Sequence, residues 1–293
     1  MMVKKECCGC TACLHVCPVK CIAMEEDEEG FLYPVIDKEK CIHCHQCENI
    51  CPIQNIQNLN ARTKTFVGYS RNEAIRKQSS SGGIFSVIAE WILQQNGVVF
   101  GAAFDENFDV HHISVEIKEE LIKLRGSKYV QSRLENAYPE VKQYLKMERK
   151  VLFTGTACQI AGLKKYLNQE YENLYTVDVL CHGVPSPKIW RMYLEEQRKQ
   201  FHASAEKIEF RKKSKMSVKE ENAIKERIRD HIERYIEIED ILGIGSDFTN
   251  TISHNTVITP ADVYRIAAEV KTGWQLGQDG IPYVIEMLEE HCI

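Results

Sequence analysis

No apolar run in this 293-residue chain approaches the ~18 residues that a membrane-spanning helix needs. The opening MMVKKECCGC lacks the ~7–15-residue apolar stretch of a secretory signal. Both absences point to a cytoplasmic chain, where thiols stay reduced and clustered cysteines do metal or redox work rather than forming disulfides. A basic surplus is also missing. The formal net charge is -5, whereas a nucleic-acid partner would call for a positive face, so none is expected. With 44% apolar residues the chain can bury a core and, at this length, divide into two or three units.

Cysteine is scarce over most of the chain and dense at its start: ten of the 13 lie within the first 51 residues. That asymmetry marks a separate metal-carrying segment. The spacing C-x2-C-x2-C-x3-C-P occurs twice, at Cys7, Cys10, Cys13, Cys17 and at Cys41, Cys44, Cys47, Cys51. Three cysteines at this spacing wrap a cube of iron and sulfide, while the fourth reaches the other cube. The expected sets are therefore Cys7, Cys10, Cys13 and Cys51 on one cluster, and Cys41, Cys44, Cys47 and Cys17 on the other. Structural zinc, which also uses paired C-x2-C motifs, rarely shows three cysteines at x2 steps followed by C-P. Cys8 and Cys21 fall outside the pattern and read as packing thiols. Between the copies, IAMEEDEEGFLYPVID suggests two short strands around an acidic tip, read either as a solvated turn or as a dock for a charged redox partner. Residues 1–55 resemble the bacterial two-cluster ferredoxin, which implies an α+β ferredoxin-like domain with two 4Fe-4S clusters.

After a polar linker at about 56–64 the texture becomes α/β. TFVGYSR reads as a short strand, and SSSGGIFSVIAEWILQQNG as a turn running into a helix with Phe85, Ile88, Ala89 and Ile92 on its apolar face. Ser80, Ser81, Gly82 and Gly83 at that helix start suit a phosphate or simply cap the helix. GVVFGAAFD and HHISVEI read as strands. KVLFTGTACQIAGLKKYL and LYTVDVLCHGVPSPKIW then give strand, helix, strand, helix, a parallel pair whose ligand site lies beyond the strands' carboxyl ends. Thr154, Gly155, Thr156, Cys181 and His182 fall there.

The blocks SSSGGIFS, RGSKYVQS, VLFTGTACQIAGLKKYL and VDVLCHGVPSPKIW resemble the beta-subunit family of coenzyme F-420 hydrogenases and dehydrogenases, from about residue 3 to about residue 213. The resemblance implies an iron-sulfur flavoprotein oxidoreductase that binds FAD, or FMN in some relatives, over residues 65–213. It further implies electron exchange with a ferredoxin, a partner redox subunit or a deazaflavin coenzyme. On that resemblance Ser80, Ser81, Gly82 and Gly83 hold the flavin's phosphate or ring edge, and Thr154, Gly155 and Thr156 its pyrophosphate. Lys128 supplies positive charge near the flavin N1, and His182 delivers a proton. Each has a plainer reading: helix cap, solvated lysine, or a hydrogen-bonded histidine at a strand end. Cys158 reads as a small buried hydrophobe, and His111 and His112 as structural or exposed. The sequence departs from the family form at Ala157, where proline is common.

Residues 214–293 read as a helical tail of unassigned role, with Ile224, Ile228, Ile232 and Ile236 on one face of a charged helix. The alternative to a flavin-dependent oxidoreductase is a non-catalytic electron-transfer subunit of a larger redox complex.

Overall fold

The computed structural model describes residues 7–55, 68–181 and 183–211. Two compact units emerge, one formed by Met1–Leu59 with Ile88–Phe210 and the other by Asn60–Val87 with Arg211–Ile293. The helical tail and His182 lie outside the described residues.

The first unit begins with the cysteine segment. Helix α1 (Ala12–Val16) follows Cys10, hairpin β1–β2 (Ile22–Glu26 and Leu32–Ile36) follows Cys21, and α2 (Gln46–Asn49) follows Cys44. The hairpin turns on Asp27, whose carboxylate accepts hydrogen bonds from the backbone N–H groups of Glu29 and Phe31 at 3.1 and 3.0 Å. An aspartate two residues ahead of the N–H it captures mimics a backbone turn, which is why the acidic run bends there.

The rest of this unit is a four-stranded sheet in the order β4-β3-β5-β6. Strands β3 (Val98–Phe104) and β4 (Val110–Val115) form an antiparallel hairpin, turned by Asp105 as the first is by Asp27. Strands β5 (Val151–Thr156) and β6 (Leu174–Val179) run parallel to β3, with α7 (Ala157–Leu167) as the crossover. This is the parallel pair that the sequence pattern predicts. Strand β5 is buried over Val151, Leu152 and Phe153 because neighbours cover it on both sides, so its apolar residues are continuous rather than alternating. Helix α6 (Ala137–Lys146) and α7 close one face. Helix α8 (Pro187–Phe201) starts at Ser186, whose hydroxyl accepts from Ile189 N–H at 3.3 Å, with Pro187 in the first turn.

One core unites the cysteine segment with the sheet. Cys10 and Ala12 are buried in the same cluster as Val98, Phe100, Tyr138, Phe153, Ile160 and Leu163. The described part of the cysteine segment therefore shares buried residues with the sheet. The acidic hairpin is held as well. Ser186 donates to the Glu29 carbonyl at 2.6 Å, Lys188 to the Glu28 carbonyl at 2.7 Å, and Arg191 to both Glu26 carboxylate oxygens at 2.7 Å. The tip is therefore neither wholly solvated nor wholly open to a partner, because α8 occupies its backbone carbonyls.

In the second unit, α3 (Glu73–Lys77) is capped by Asn72, whose side chain accepts from Ala74 N–H and Ile75 N–H. The described part of TFVGYSR, residues 68–71, is loop rather than strand. It leans on the Ser/Gly turn, with Ser70 N–H donating to the Gly82 carbonyl at 2.7 Å. Helix α4 (Ile84–Gln94) begins there and carries buried Ala89 and Ile92.

Candidate functional site

The two cysteine repeats fold alike. In the first copy Gly9 and Thr11 take left-handed backbone angles, with φ of 66° and 60°; at the equivalent positions of the second, His43 and His45 do the same, with φ of 54° and 57°. Three of these four are not glycine, and each of those three costs about 1–2 kcal/mol in this conformation. Strain of this sort gathers where a site dictates the backbone. Here it wraps the chain around the centre of each repeat.

Cys7, Cys10, Cys13 and Cys51 line one cavity together with Thr11, Met24, Pro34 and Pro52. The last cysteine of the second repeat thus lines the same cavity as the first three of the first repeat. Four thiols along one cavity are the donor set that a cube of iron and sulfide takes. Burial pushes the Cys13 thiol up to about 12, with Cys7 adding to the shift, and burial also raises Cys7. Such thiols ionise when iron supplies the compensating positive charge. The Thr11 hydroxyl is buried without a partner among the described residues; a hydroxyl left over beside the cavity is what a cluster sulfur would satisfy. The residues present fit the group.

Around the second set, Cys17 lies 3.5 Å from Cys21, sulfur to sulfur, a contact that its spacing alone does not reveal. Cys41 and Cys47 are half-buried and Cys44 is exposed.

The other sequence-derived positions are spread over both units. In the second unit, Gly83 has φ of 87°, and a Cβ on Gly82 would lie 3.0 Å from the Gly68 carbonyl and the Tyr69 side chain. Packing of the turn on its own neighbours thus accounts for both glycines. Ser80 and Ser81 sit in that turn and engage in contacts of their own. In the first unit, Lys128 donates to the carbonyls of Lys123 and Arg125 at 3.0 and 2.9 Å, and burial lowers its ammonium to about 8. Thr154 at the end of β5 donates its hydroxyl to the Phe100 carbonyl at 2.9 Å. Gly155 lies against Gln159, whose side-chain oxygen would be 2.8 Å from a Cβ there. Thr156 caps α7: its hydroxyl accepts from Gln159 N–H, and its own N–H donates to the Gln159 side chain at 2.9 Å.

A buried polar network that the sequence reading missed supports this turn. His112 faces the Thr154 carbonyl through Nε2 at 3.1 Å and the Ser132 hydroxyl through Nδ1 at 2.9 Å. A carbonyl only accepts, so Nε2 carries the proton and Nδ1 accepts from Ser132, whose oxygen in turn accepts from Gln159 at 3.0 Å. Burial lowers His112 to about 4 from 6.5, partly opposed by the Thr154 carbonyl. The neutral ring is therefore the folded form. Its stabilisation is fully present above pH 6.5 and is lost as pH falls towards 4, where the unfolded chain binds the proton that the fold excludes. We expect urea denaturation to show roughly 3 kcal/mol lost across that window, at up to about 1.4 kcal/mol per pH unit, and His112→Gln to flatten the dependence. An unchanged slope in the variant would remove His112 as its source.

Known proteins match in the same places. Residues 6–55 match the 4Fe-4S dicluster domain. Residues 65–138 match the amino-terminal part, and residues 148–254 the carboxyl-terminal part, of the family described as the coenzyme F420 hydrogenase/dehydrogenase beta subunit. The latter match continues past residue 213, where the resemblance read from the sequence stops. No curated protein matches the chain. Among solved structures, a chain from the F420-reducing [NiFe] hydrogenase complex of Methanosarcina barkeri is similar over 48% of this chain and 54% of its own, at 20% identity and a TM-score of 0.38. The chain thus spans about half the length of that relative. No helix among the described residues is long and apolar enough to cross a membrane. With a dicluster segment and both halves of one family's pattern matched in order, the chain belongs to the coenzyme F-420 hydrogenase/dehydrogenase beta-subunit family.

Proposed function

We propose that this chain is an iron-sulfur electron-transfer protein acting in a hydrogenase or dehydrogenase assembly, and that it passes electrons onward through a flavin to a deazaflavin coenzyme or another low-potential acceptor. The observation that carries the first part is the gathering of Cys7, Cys10, Cys13 and Cys51 around one cavity. Bound 4Fe-4S clusters take up and release single electrons. The protein's share is to hold eight thiolates, to exclude water with Met24, Pro34 and Pro52, and to tie the cavity to the sheet through Cys10 and Ala12.

The flavin is carried by family membership together with the ligand-binding position of the β5–α7 turn. A flavin joins one-electron to two-electron chemistry. Thr154, Gly155 and Thr156 have committed their side chains and close contacts within the protein, so their contribution comes from backbone groups at the start of α7. Lys128 keeps one N–H beyond the two carbonyls it serves, and it remains the proposed cation. Ser80, Ser81, Gly82 and Gly83 remain the proposed phosphate turn, and His182 the proposed proton donor.

Retention decides between flavoprotein and simple conduit. Protein reconstituted with iron, sulfide and FAD under anaerobic conditions should keep near-stoichiometric flavin after desalting, with FMN tested in parallel. Lys128→Ala should lower that content or shift the flavin's reduction potential. Complete loss of flavin from the wild type, with both clusters present, would leave the conduit reading. Unchanged content and potential in Lys128→Ala would end the role given to that lysine.

A further inference from the structure

The two cysteine repeats share one backbone path but not one environment. In the first copy Cys10 is 8% exposed and Ala12 1%, and both pack in the core with Ile160 and Leu163 of α7. At the equivalent places of the second copy Cys44 and Gln46 are exposed, and so are Ile42, His43 and His45 around them. We propose that residues 42–46 are the docking face at which the chain exchanges single electrons with a partner redox protein, while the Cys10 set is the inner one, turned towards α7. The proposal rests on the electron-transfer reading above and adds to it where the partner sits and which residues meet it.

Residue size enforces the difference. The position before each middle cysteine needs a left-handed backbone. In the first copy it is Gly9, where a Cβ would lie 3.1 Å from the Leu32 carbonyl and 2.7 Å from Nε2 of Gln131, a side chain already held by Leu32 N–H at 3.1 Å. In the second copy it is His43, whose imidazole stands exposed. The next left-handed position sets buried Thr11 against exposed His45. On the side of α7, Gly162 completes the approach, since a Cβ there would stand 3.0 Å from the Cys10 Cβ. Small residues thus seat the first repeat on the sheet and its helices. Larger ones occupy the same places in the second, and among the described residues nothing buries them.

The face suits a protein that carries one electron. Such an exchange oxidises the partner's centre by one electron as this chain gains one, or the reverse. No bond forms or breaks and no proton is needed, so closeness of approach decides the rate. Cys44 is the exposed ligand of its set, and it lets a partner come nearer than any approach past the buried Cys10. The five residues carry no carboxylate and no ammonium. Neighbouring charges are engaged locally: Glu48 meets His45 Nδ1 at 2.9 Å, and Lys40 pairs with Asp37 at 2.8 Å. Ile42, 59% exposed, supplies the apolar contact. A face of this size belongs with transient redox encounters, which bury less than roughly 1,200 Å². The matching surface on the partner is therefore a weakly polar rim around its own one-electron centre, held by contact more than by opposite charge.

The test uses the full chain reconstituted anaerobically. A water-soluble dysprosium chelate speeds the spin relaxation of paramagnetic centres near the surface. It should shorten the EPR relaxation of Cys51→Ser, which keeps the Cys44 set, and leave that of Cys41→Ser, which keeps the Cys10 set, close to its value without chelate. Docking is read separately by stopped-flow, with a reduced bacterial two-cluster ferredoxin as the probe. Ile42→Ala, with both clusters in place, should lower the second-order rate of reduction by about tenfold. Ile122→Ala, which truncates an isoleucine 64% exposed elsewhere on the surface, should leave the rate at the wild-type value. Equal relaxation in the two single-cluster variants, or a stronger effect on the Cys10 set, would overturn the proposal. So would equal rates in Ile42→Ala and Ile122→Ala. Should a single-cluster variant fail to assemble, the rate comparison still decides, because it is made in chains that hold both clusters. Wild type that takes up no cluster at all would overturn the underlying reading, before any variant is compared.

Discussion

Cys51→Ser should halve the iron of the reconstituted protein and remove one EPR signal, although Cys51 belongs to the second repeat. Cys51 is buried and shares its cavity with Cys7, Cys10 and Cys13. Serine offers a harder, less acidic oxygen in place of a soft thiolate, and the iron it should hold is thereby exposed to loss. The cluster that survives should be the one bound by Cys41, Cys44, Cys47 and Cys17. Combining Cys51→Ser with Cys41→Ser should then remove the rest, whereas combining it with Cys7→Ser should remove nothing further. If the first pair instead left half the iron and the second left none, each repeat would be holding its own cube, and the exchange of ligands would be wrong.

Phe153→Ala should destabilise the protein by about 3–5 kcal/mol and disturb the cysteine segment along with the sheet. Phe153 is fully buried in the central strand, pairs in register with Phe100, and stacks on the His112 ring at 5.4 Å. Its ring also lies 6.0 Å from that of Tyr138, which holds the start of α7. Truncation leaves a cavity that neighbours on both sides of the sheet cannot close without moving. Because Cys10 and Ala12 share this core, the loss should appear both in chemical denaturation and as faster bleaching of the clusters in air. Normal cluster lifetime in a clearly destabilised variant would show that the segment stands apart from the core.

How much of this was legible in the sequence depends on distance along the chain. The ligand spacing is local, and it announces the clusters because wrapping a cube fixes the steps between cysteines. The β5–α7–β6 unit is also local: its apolar strands and the Thr156-x-x-Gln159 cap can be read directly. What stayed hidden depends on contacts across the chain. No local pattern says that Gly162 leaves room for Cys10, that α8 holds the carbonyls of Glu28 and Glu29, or that His112 is pinned by Ser132 and Thr154. The Ser/Gly turn carries two readings at once: its composition suits a phosphate, and its fit against Gly68 and Tyr69 also calls for Gly82. Beyond Lys213 the family match continues although the motifs recognisable by eye have ended.

The most direct check is a joint assay of iron, acid-labile sulfide and zinc in anaerobically prepared protein, with EPR of the reduced state. The account predicts about eight irons and eight sulfides per chain, and a spectrum from two interacting centres. A colourless protein carrying zinc and no sulfide would contradict it.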